Sequence, residues 1–138
     1  MGTWEHFEHQ ADIGVRGLGA SPAEAFEQAA LAMMAVIVDP ATVEPREEIR
    51  IECEAPDLEL LLVDWLSAII CQIAERHMLF RSFAVRLEGT RLQATALGDS
   101  IRVERHRPAV EVKGATYAEL KVRCQADGSW LAQCVVDV

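Results

Sequence analysis

The first forty residues show two stretches of alternating apolar and polar residues, followed by a helical repeat. The alternation over Trp4 to His9 and over Asp12 to Leu18 predicts two short strands. The run Ser21-Pro22-Ala23-Glu24 predicts a helix start, because serine caps the first turn, proline is accepted there, and glutamate can complete a capping box. Apolar residues continue at helical spacing to Ile37, and Asp39-Pro40 ends the helix.

The rest of the chain predicts one more helix within a series of strands. A wide apolar stripe after Pro56-Asp57 predicts a helix that packs against a sheet. Alternation and turn residues predict strands over Ile49 to Cys53, Phe83 to Leu87, Leu92 to Ala96, Val110 to Lys113, Leu120 to Cys124 and Trp130 to Val138. This order predicts an α+β fold, with two helices packed on a mixed, largely antiparallel sheet, in a single domain spanning residues 1–138.

The charge of the chain narrows the range of ligands. Its 138 residues include 13 Lys and Arg against 22 Asp and Glu, for a net charge of −9. Proteins bind nucleic acid largely by placing basic side chains on phosphates, so we expect neither tight nucleic-acid binding nor attachment to an anionic membrane. The acidic balance favours cation binding and docking to a basic patch on another protein.

The cysteines and apolar runs favour a cytoplasmic protein. No C-x-x-C pair occurs, and polar residues interrupt any signal-like stretch at the N-terminus. The longest apolar run, Leu60 to Ile70, is too short to span a bilayer. With a turn centred on Asp127-Gly128, Cys124 is expected to face Leu131 and not Cys134, so no disulfide between these cysteines is expected.

Two acidic segments are candidate sites. His9 and Asp12 fall at the junction of the first two predicted strands, where the residues also suit an ordinary solvated turn. At the other end of the sequence, the α-carboxylate of Val138 follows the side chain of Asp137, and a bound dication would relieve the repulsion between them. Calcium, which takes six to eight oxygen ligands, would suit such a site. A frayed acidic terminus is the alternative.

A third group of polar residues comes from the middle of the chain. Asp64 interrupts the apolar stripe of the second predicted helix, and a carboxylate there needs a partner if it is buried. Glu111 and Lys113 fall on one face of a predicted strand. These residues would form a polar cluster near one end of the sheet, or else a set of independent surface charges.

Several segments, in this order and at this spacing, are together typical of a known family: Trp4 to His9, Ala11 to Val15, Ala23 to Leu31, Leu60 to Leu66, Glu111 to Lys113 with Ala115 to Tyr117, and Val135 to Val138. On these residues the chain resembles the archease family over nearly its whole length. It departs from the usual family pattern at Gln10, where threonine is common, at Gly114 and at Ala118. None of these departures removes a carboxylate.

The resemblance implies a small α+β protein that binds a divalent cation, typically Ca²⁺. It also implies an accessory role, in which the protein activates an RtcB-type RNA ligase during tRNA splicing or RNA repair by promoting guanylylation and multiple turnover. The implied metal ligands are Asp12, Asp137 and Val138, the last through main-chain or terminal oxygens. The expected working surface adds His9, Asp64, Glu111 and Lys113.

Two other functions use the same residues. An independent metal-dependent phosphohydrolase would need an activated water and an open coordination position. A chaperone-like interaction module would hold the metal for structural reasons only. We expect the chain to be an activator and not an enzyme.

Overall fold

The computed structural model describes residues 2–138 as an α+β fold with eight strands and three α-helices. The strands are β1 Thr3–His9, β2 Asp12–Gly19, β3 Glu47–Glu54, β4 Met78–Glu88, β5 Arg91–Ser100, β6 Gly114–Ala115, β7 Lys121–Cys124 and β8 Trp130–Asp137. The helices are α1 Pro22–Ile37, α2 Leu58–Arg76 and the four-residue α3 Val103–His106, with a 3-10 turn at Pro40–Thr42.

The strands form two sheets. One has five strands in the order β1-β2-β8-β6, with β7 also paired to β8, and the other has three in the order β3-β5-β4. All of these pairings are antiparallel. The predicted fold class is therefore confirmed, although the strands are divided between two sheets and do not form a single one.

Helix α1 begins as its sequence predicts. The Ser21 hydroxyl accepts a hydrogen bond from the backbone N–H of Glu24 at 3.2 Å. The Glu24 carboxylate accepts one from the backbone N–H of Ala20 at 2.8 Å, so the capping box closes one residue before Ser21. The helix contacts β2 of the larger sheet and β4 of the smaller one, and its residues from Ala25 to Ile37 contribute much of the core.

Helix α2 is capped by Asp57, whose carboxylate accepts from the backbone N–H of Leu60 at 2.8 Å. It ends at Arg76, and the next residue, His77, caps it in the left-handed conformation with φ 53°. The indole N–H of the fully buried Trp65 donates to the carbonyl oxygen of Phe26 on α1 at 3.1 Å. This bond gives the one polar atom of the ring a partner and ties the two helices together.

The predicted strand over Val110 to Lys113 is wrong. Val112 alone follows the predicted alternation: it is buried between the exposed Glu111 and Lys113, whereas Val110, on the same predicted face as Val112, is 42% exposed. A strand also needs a neighbour along its length, and the pairing with β8 begins only at Gly114, opposite Asp137. The segment before it is held elsewhere, through a 2.7 Å hydrogen bond from the Ala109 N–H to the Ile37 carbonyl.

Two further differences concern register and length. Cys124 lies opposite Trp130 and not Leu131, so the predicted pairing was wrong by one residue. All four cysteines are free, as expected for Cys124 and Cys134. Strand β4 begins five residues before the predicted Phe83, with a register shift between Phe80 and Ser82.

Across residues 2–138, no helix has the length and apolar character that crossing a membrane requires.

Candidate functional site

The two predicted acidic segments meet at one end of the larger sheet. The pairing of β2 with β8 ends with Ile13 opposite Val136. Continued one step beyond this last pair, the same register sets Asp12 opposite Asp137, whose other neighbour is Gly114 of β6. Directly opposed residues of an antiparallel pair share one face, with Cα atoms about 4.5–5.5 Å apart. The fold therefore brings together two carboxylates that are 125 positions apart in the sequence.

His9 belongs to the same row. It lies opposite Asp12 across the β1–β2 hairpin, whose two-residue turn is Gln10-Ala11. Gln10 adopts the left-handed conformation with φ 53°, which a tight hairpin turn requires. The side chain of Val15 packs into the core, so the even-numbered residues of β2, including Asp12, point to the other face of the sheet. We call that other face, which α1 does not cover, the open face. His9, Asp12 and Asp137 consequently line up across three strands on the open face.

The two carboxylates have no protein partner among residues 2–138. Neither side chain takes part in an ion pair, and the only hydrogen bond at Asp137 outside the sheet ladders uses its backbone oxygen. Asp137 is exposed and Asp12 partly so. Unneutralised carboxylates at adjacent positions repel each other, and their oxygens are the ligands that a hard cation such as Ca²⁺ prefers.

The protein side chains alone do not complete a metal site. Within the described part of the chain, no group of three or more His, Cys, Asp or Glu side chains is arranged to hold a metal ion. Two carboxylates would leave most of six to eight coordination positions to main-chain oxygens, water or another molecule. Val138 is a source of main-chain oxygen, and its side chain is half-buried against the core, which anchors the end of β8.

Lys113 and Glu111 approach this end of the sheet from the segment before β6. The Lys113 backbone N–H donates to the Asp137 carbonyl oxygen at 2.8 Å, while the Lys113 side chain is exposed. Both residues also border a cavity of about 730 Å³ against the C-terminal half of α2. The structure therefore brings Lys113 to the edge that carries Asp137, with Glu111 exposed two residues earlier in the chain.

Asp64 occupies a different environment. Its side chain is exposed on α2. Helix α2 packs against β3 of the smaller sheet, where burial raises the pKa of the Cys53 thiol and the negative charge of Asp64 raises it further. No hydrogen bond or ion pair within residues 2–138 links Asp64 to Asp12 or Asp137.

Thr116 supports the same edge, and we did not predict this role from the sequence. Its hydroxyl donates to the Val135 carbonyl at 2.8 Å and accepts from the backbone N–H of Ala118 at 3.2 Å. The adjoining Tyr117 is 69% exposed, so its ring projects from the turn that Thr116 holds. The only indication of this role in the sequence was that Thr116 and Tyr117 lie in one of the segments that resemble the archease family.

Comparison with known proteins identifies the fold family. The sequence model of the Archease protein family (MTH1598/TM1083) matches residues 4–138 of this chain. The chain belongs to the archease family. Protein archease of Pyrococcus abyssi is 42% identical and that of Thermococcus gammatolerans 43% identical, in each case over the full length of both chains. The solution structure of Methanobacterium thermoautotrophicum protein 1598 superposes with a TM-score of 0.86 at 34% identity and covers 98% of each chain.

Proposed function

We propose that this member of the archease family is a divalent-cation-binding accessory protein that activates an RtcB-type RNA ligase in the cytoplasm. Such a protein would promote guanylylation and multiple turnover of the ligase in tRNA splicing or RNA repair, without being an enzyme itself. The RtcB-type ligase is inferred as the partner from the resemblance to the archease family. The observation that carries the cation site is the pair of unneutralised carboxylates, Asp12 and Asp137, opposed at the end of the β2–β8 ladder.

The residues at this edge fit Ca²⁺ by their chemistry. Asp12 and Asp137 supply carboxylate oxygens from one face, and a main-chain oxygen of Val138 would add a third ligand. The remaining positions would be filled by water or by oxygens of the docked partner and its nucleotide. When bound, the cation supplies positive charge close to nucleotide phosphates.

The fold holds these groups in place before any partner arrives. The β1–β2 hairpin fixes Asp12, and the Lys113 N–H bond to the Asp137 carbonyl holds the end of β8. Both carboxylates sit on strand ends, where the backbone is fixed while the side chains reach solvent. Such preorganisation lowers the entropic cost of ligand binding and of docking.

The overall charge suits docking to the ligase better than contact with RNA. A net charge of −9 would speed encounter with a basic rim around the ligase active site, and added salt would slow it. The ligase would hold the RNA, because an acidic surface gains little affinity from counterion release.

The test is a guanylylation and multiple-turnover assay of a purified ligase, with this protein added at a substoichiometric ratio. Stimulation by the parent protein and its loss in Asp12→Asn and Asp137→Asn are expected. Glu75→Gln is the matched control, because it removes one negative charge from an exposed position on α2 that does not line the cavity beside Glu111 and Lys113. Unchanged ligase turnover on addition of the parent protein would refute the accessory role.

The same assay separates the two alternative functions. Hydrolysis of a phosphoester or of GTP by the protein alone would support an independent phosphohydrolase. If the aspartate variants lose ligase activation only in proportion to a lowered melting temperature, the cation is structural and the protein acts as an interaction module. Equal stimulation by Asp137→Asn and Glu75→Gln would show that the carboxylate pair is not the cause of activation.

A further inference from the structure

The open face of the larger sheet carries a second feature, a pocket of about 460 Å³. Helix α1 covers the other face of this sheet, where Val15 and Gly17 lie against it. Side chains from β1, β2, β7 and β8 line the pocket, and they include three basic residues from two different strands, Arg16 on β2 and Lys121 and Arg123 on β7. We call this feature the basic pocket.

Strand register explains why these residues converge. Arg16 lies opposite Gln133, and Gln133 lies opposite Lys121, so the three form one row across β2, β8 and β7. Arg123 is two residues beyond Lys121, on the same face of β7, opposite Leu131. Cations from separate strands therefore point into one concavity and not along a single exposed ridge.

Arg16 is held rigidly by its neighbours. Its Nε donates to the side-chain oxygen of Gln133 at 2.7 Å, and its Nη1 donates to the Glu5 carboxylate at 2.6 Å. The guanidinium carbon lies 4.7 Å from the centre of the Phe7 ring. Gln133 is 4% exposed, and its amide nitrogen donates to the Glu119 carbonyl at 2.9 Å. The floor of the basic pocket is therefore preorganised.

The other two cations are not neutralised by the protein. Neither Lys121 nor Arg123 forms an ion pair with a carboxylate of residues 2–138. Glu8 and Glu119 also line the pocket, and both are exposed, as Arg123 is. Lys121 and Arg16 are half-buried, so solvent screens the two carboxylates more than it screens these two cations. In a chain of net charge −9, two unpaired cations and a fixed arginine in one concavity mark a site for an anion.

We propose that the basic pocket binds a phosphate or diphosphate group of a nucleotide-sized ligand. A phosphate presents several oxygens, so it can accept hydrogen bonds from the Lys121 ammonium and the Arg123 guanidinium at the same time. The volume of about 460 Å³ is within the range of small-molecule sites. The Phe7 ring at the wall supplies an apolar surface beside the anion. This inference does not rest on the proposed ligase activation.

A small ligand fits the charge distribution better than an RNA strand does. At physiological salt a charge is screened within about 8 Å, so a single phosphate responds mainly to the cations around it. A longer strand would leave the pocket and cross the acidic remainder of the surface. Binding of RNA would then gain little from counterion release.

The experiment is an NMR titration of the full chain with inorganic pyrophosphate and, separately, with adenosine monophosphate. Saturable shifts are expected at the backbone amides of Lys121, Arg123 and Gln133. Lys121→Gln and Arg123→Gln should each weaken binding about five- to tenfold, since each removes one charge-assisted hydrogen bond from a partly solvated site. Arg91→Gln is the control, because it removes the same charge from an exposed hairpin end of the other sheet.

Three results would overturn the proposal. The first is the absence of saturable binding of either probe. The second is equal weakening by Arg91→Gln, which would indicate a general charge effect. The third is binding of a ten-nucleotide RNA that depends on Lys121 and Arg123 while neither small probe binds. Melting temperatures of the variants verify folding, and exposed or half-exposed positions such as these tolerate a neutral polar residue.

Discussion

Gly17 of β2 lies so close to α1 that a β-carbon on it would come within 2.1 Å of the Ala25 carbonyl oxygen and within 2.3 Å of the Ala29 backbone nitrogen. Both neighbours are helix backbone, which cannot move aside as a flexible side chain could. This contact sets the distance between α1 and the sheet that carries both proposed sites.

We therefore expect Gly17→Ala to lower the free energy of unfolding by about 1–3 kcal/mol or more, because the helix must shift away from the sheet. Gly114→Ala on β6 is the control, since a β-carbon there meets no atom within 4 Å. Urea denaturation of both variants measures the difference. Equal stability of the two variants would contradict the close packing of α1 on β2.

The opposed carboxylates predict a response to metal removal. With a chelator present, Asp137→Asn should melt at the same temperature as the parent or higher, because the substitution relieves repulsion with Asp12. Added Ca²⁺ should raise the melting temperature of the parent through preferential binding to the folded state, and should raise that of the variant much less. Thermal unfolding in chelator and at several calcium concentrations measures both effects.

The control for this experiment is Glu75→Gln, which should respond to calcium as the parent does. A calcium-dependent rise of the same size in Asp12→Asn, Asp137→Asn and the parent would place any cation elsewhere on the molecule.

Glu27 predicts a specific dependence of stability on pH. Burial raises the pKa of this carboxyl group, its hydrogen bond with the Val85 N–H lowers it, and the charge of Glu24 raises it, with a net increase. The folded state consequently holds this proton more firmly than the unfolded state does. The resulting stabilisation is present below the unfolded-state pKa and is lost as the pH rises through the folded-state pKa.

Glu27→Gln should therefore gain stability relative to the parent as the pH rises from about 4 to 7, while its amide oxygen still accepts from Val85. Glu44→Gln should show the opposite trend. Its carboxylate binds Arg46 and Arg105, which lower the pKa of Glu44, so the parent keeps this stabilisation above the unfolded-state pKa and loses it at acid pH. Melting curves across this pH range measure both, and parallel trends would contradict the assignment.

The sequence by itself determined the two long helices, the main strands and the residue types of the proposed cation site. The helix signals are local: Ser21 and Asp57 cap the first turns, and the apolar residues repeat every three to four positions. Such signals can be recognised from the sequence without knowledge of the fold. The hairpin at Gly89-Thr90 is equally local. The family likeness rests on segments spread along the chain, and it implies Asp12 and Asp137 as metal ligands, although their positions in the sequence do not show that they are neighbours.

Only the tertiary structure decided how the strands are shared between two sheets, because pairing depends on contacts between distant residues. The same reason explains why Val110 to Lys113 does not form a strand, and why the Cys124 pairing differs by one residue. In the sequence, each basic residue of the pocket has the pattern of an ordinary exposed charge on its own strand. Arg16, Lys121 and Arg123 become one site only because β8 joins β2 to β7, and sequence periodicity carries no information on which strands are neighbours.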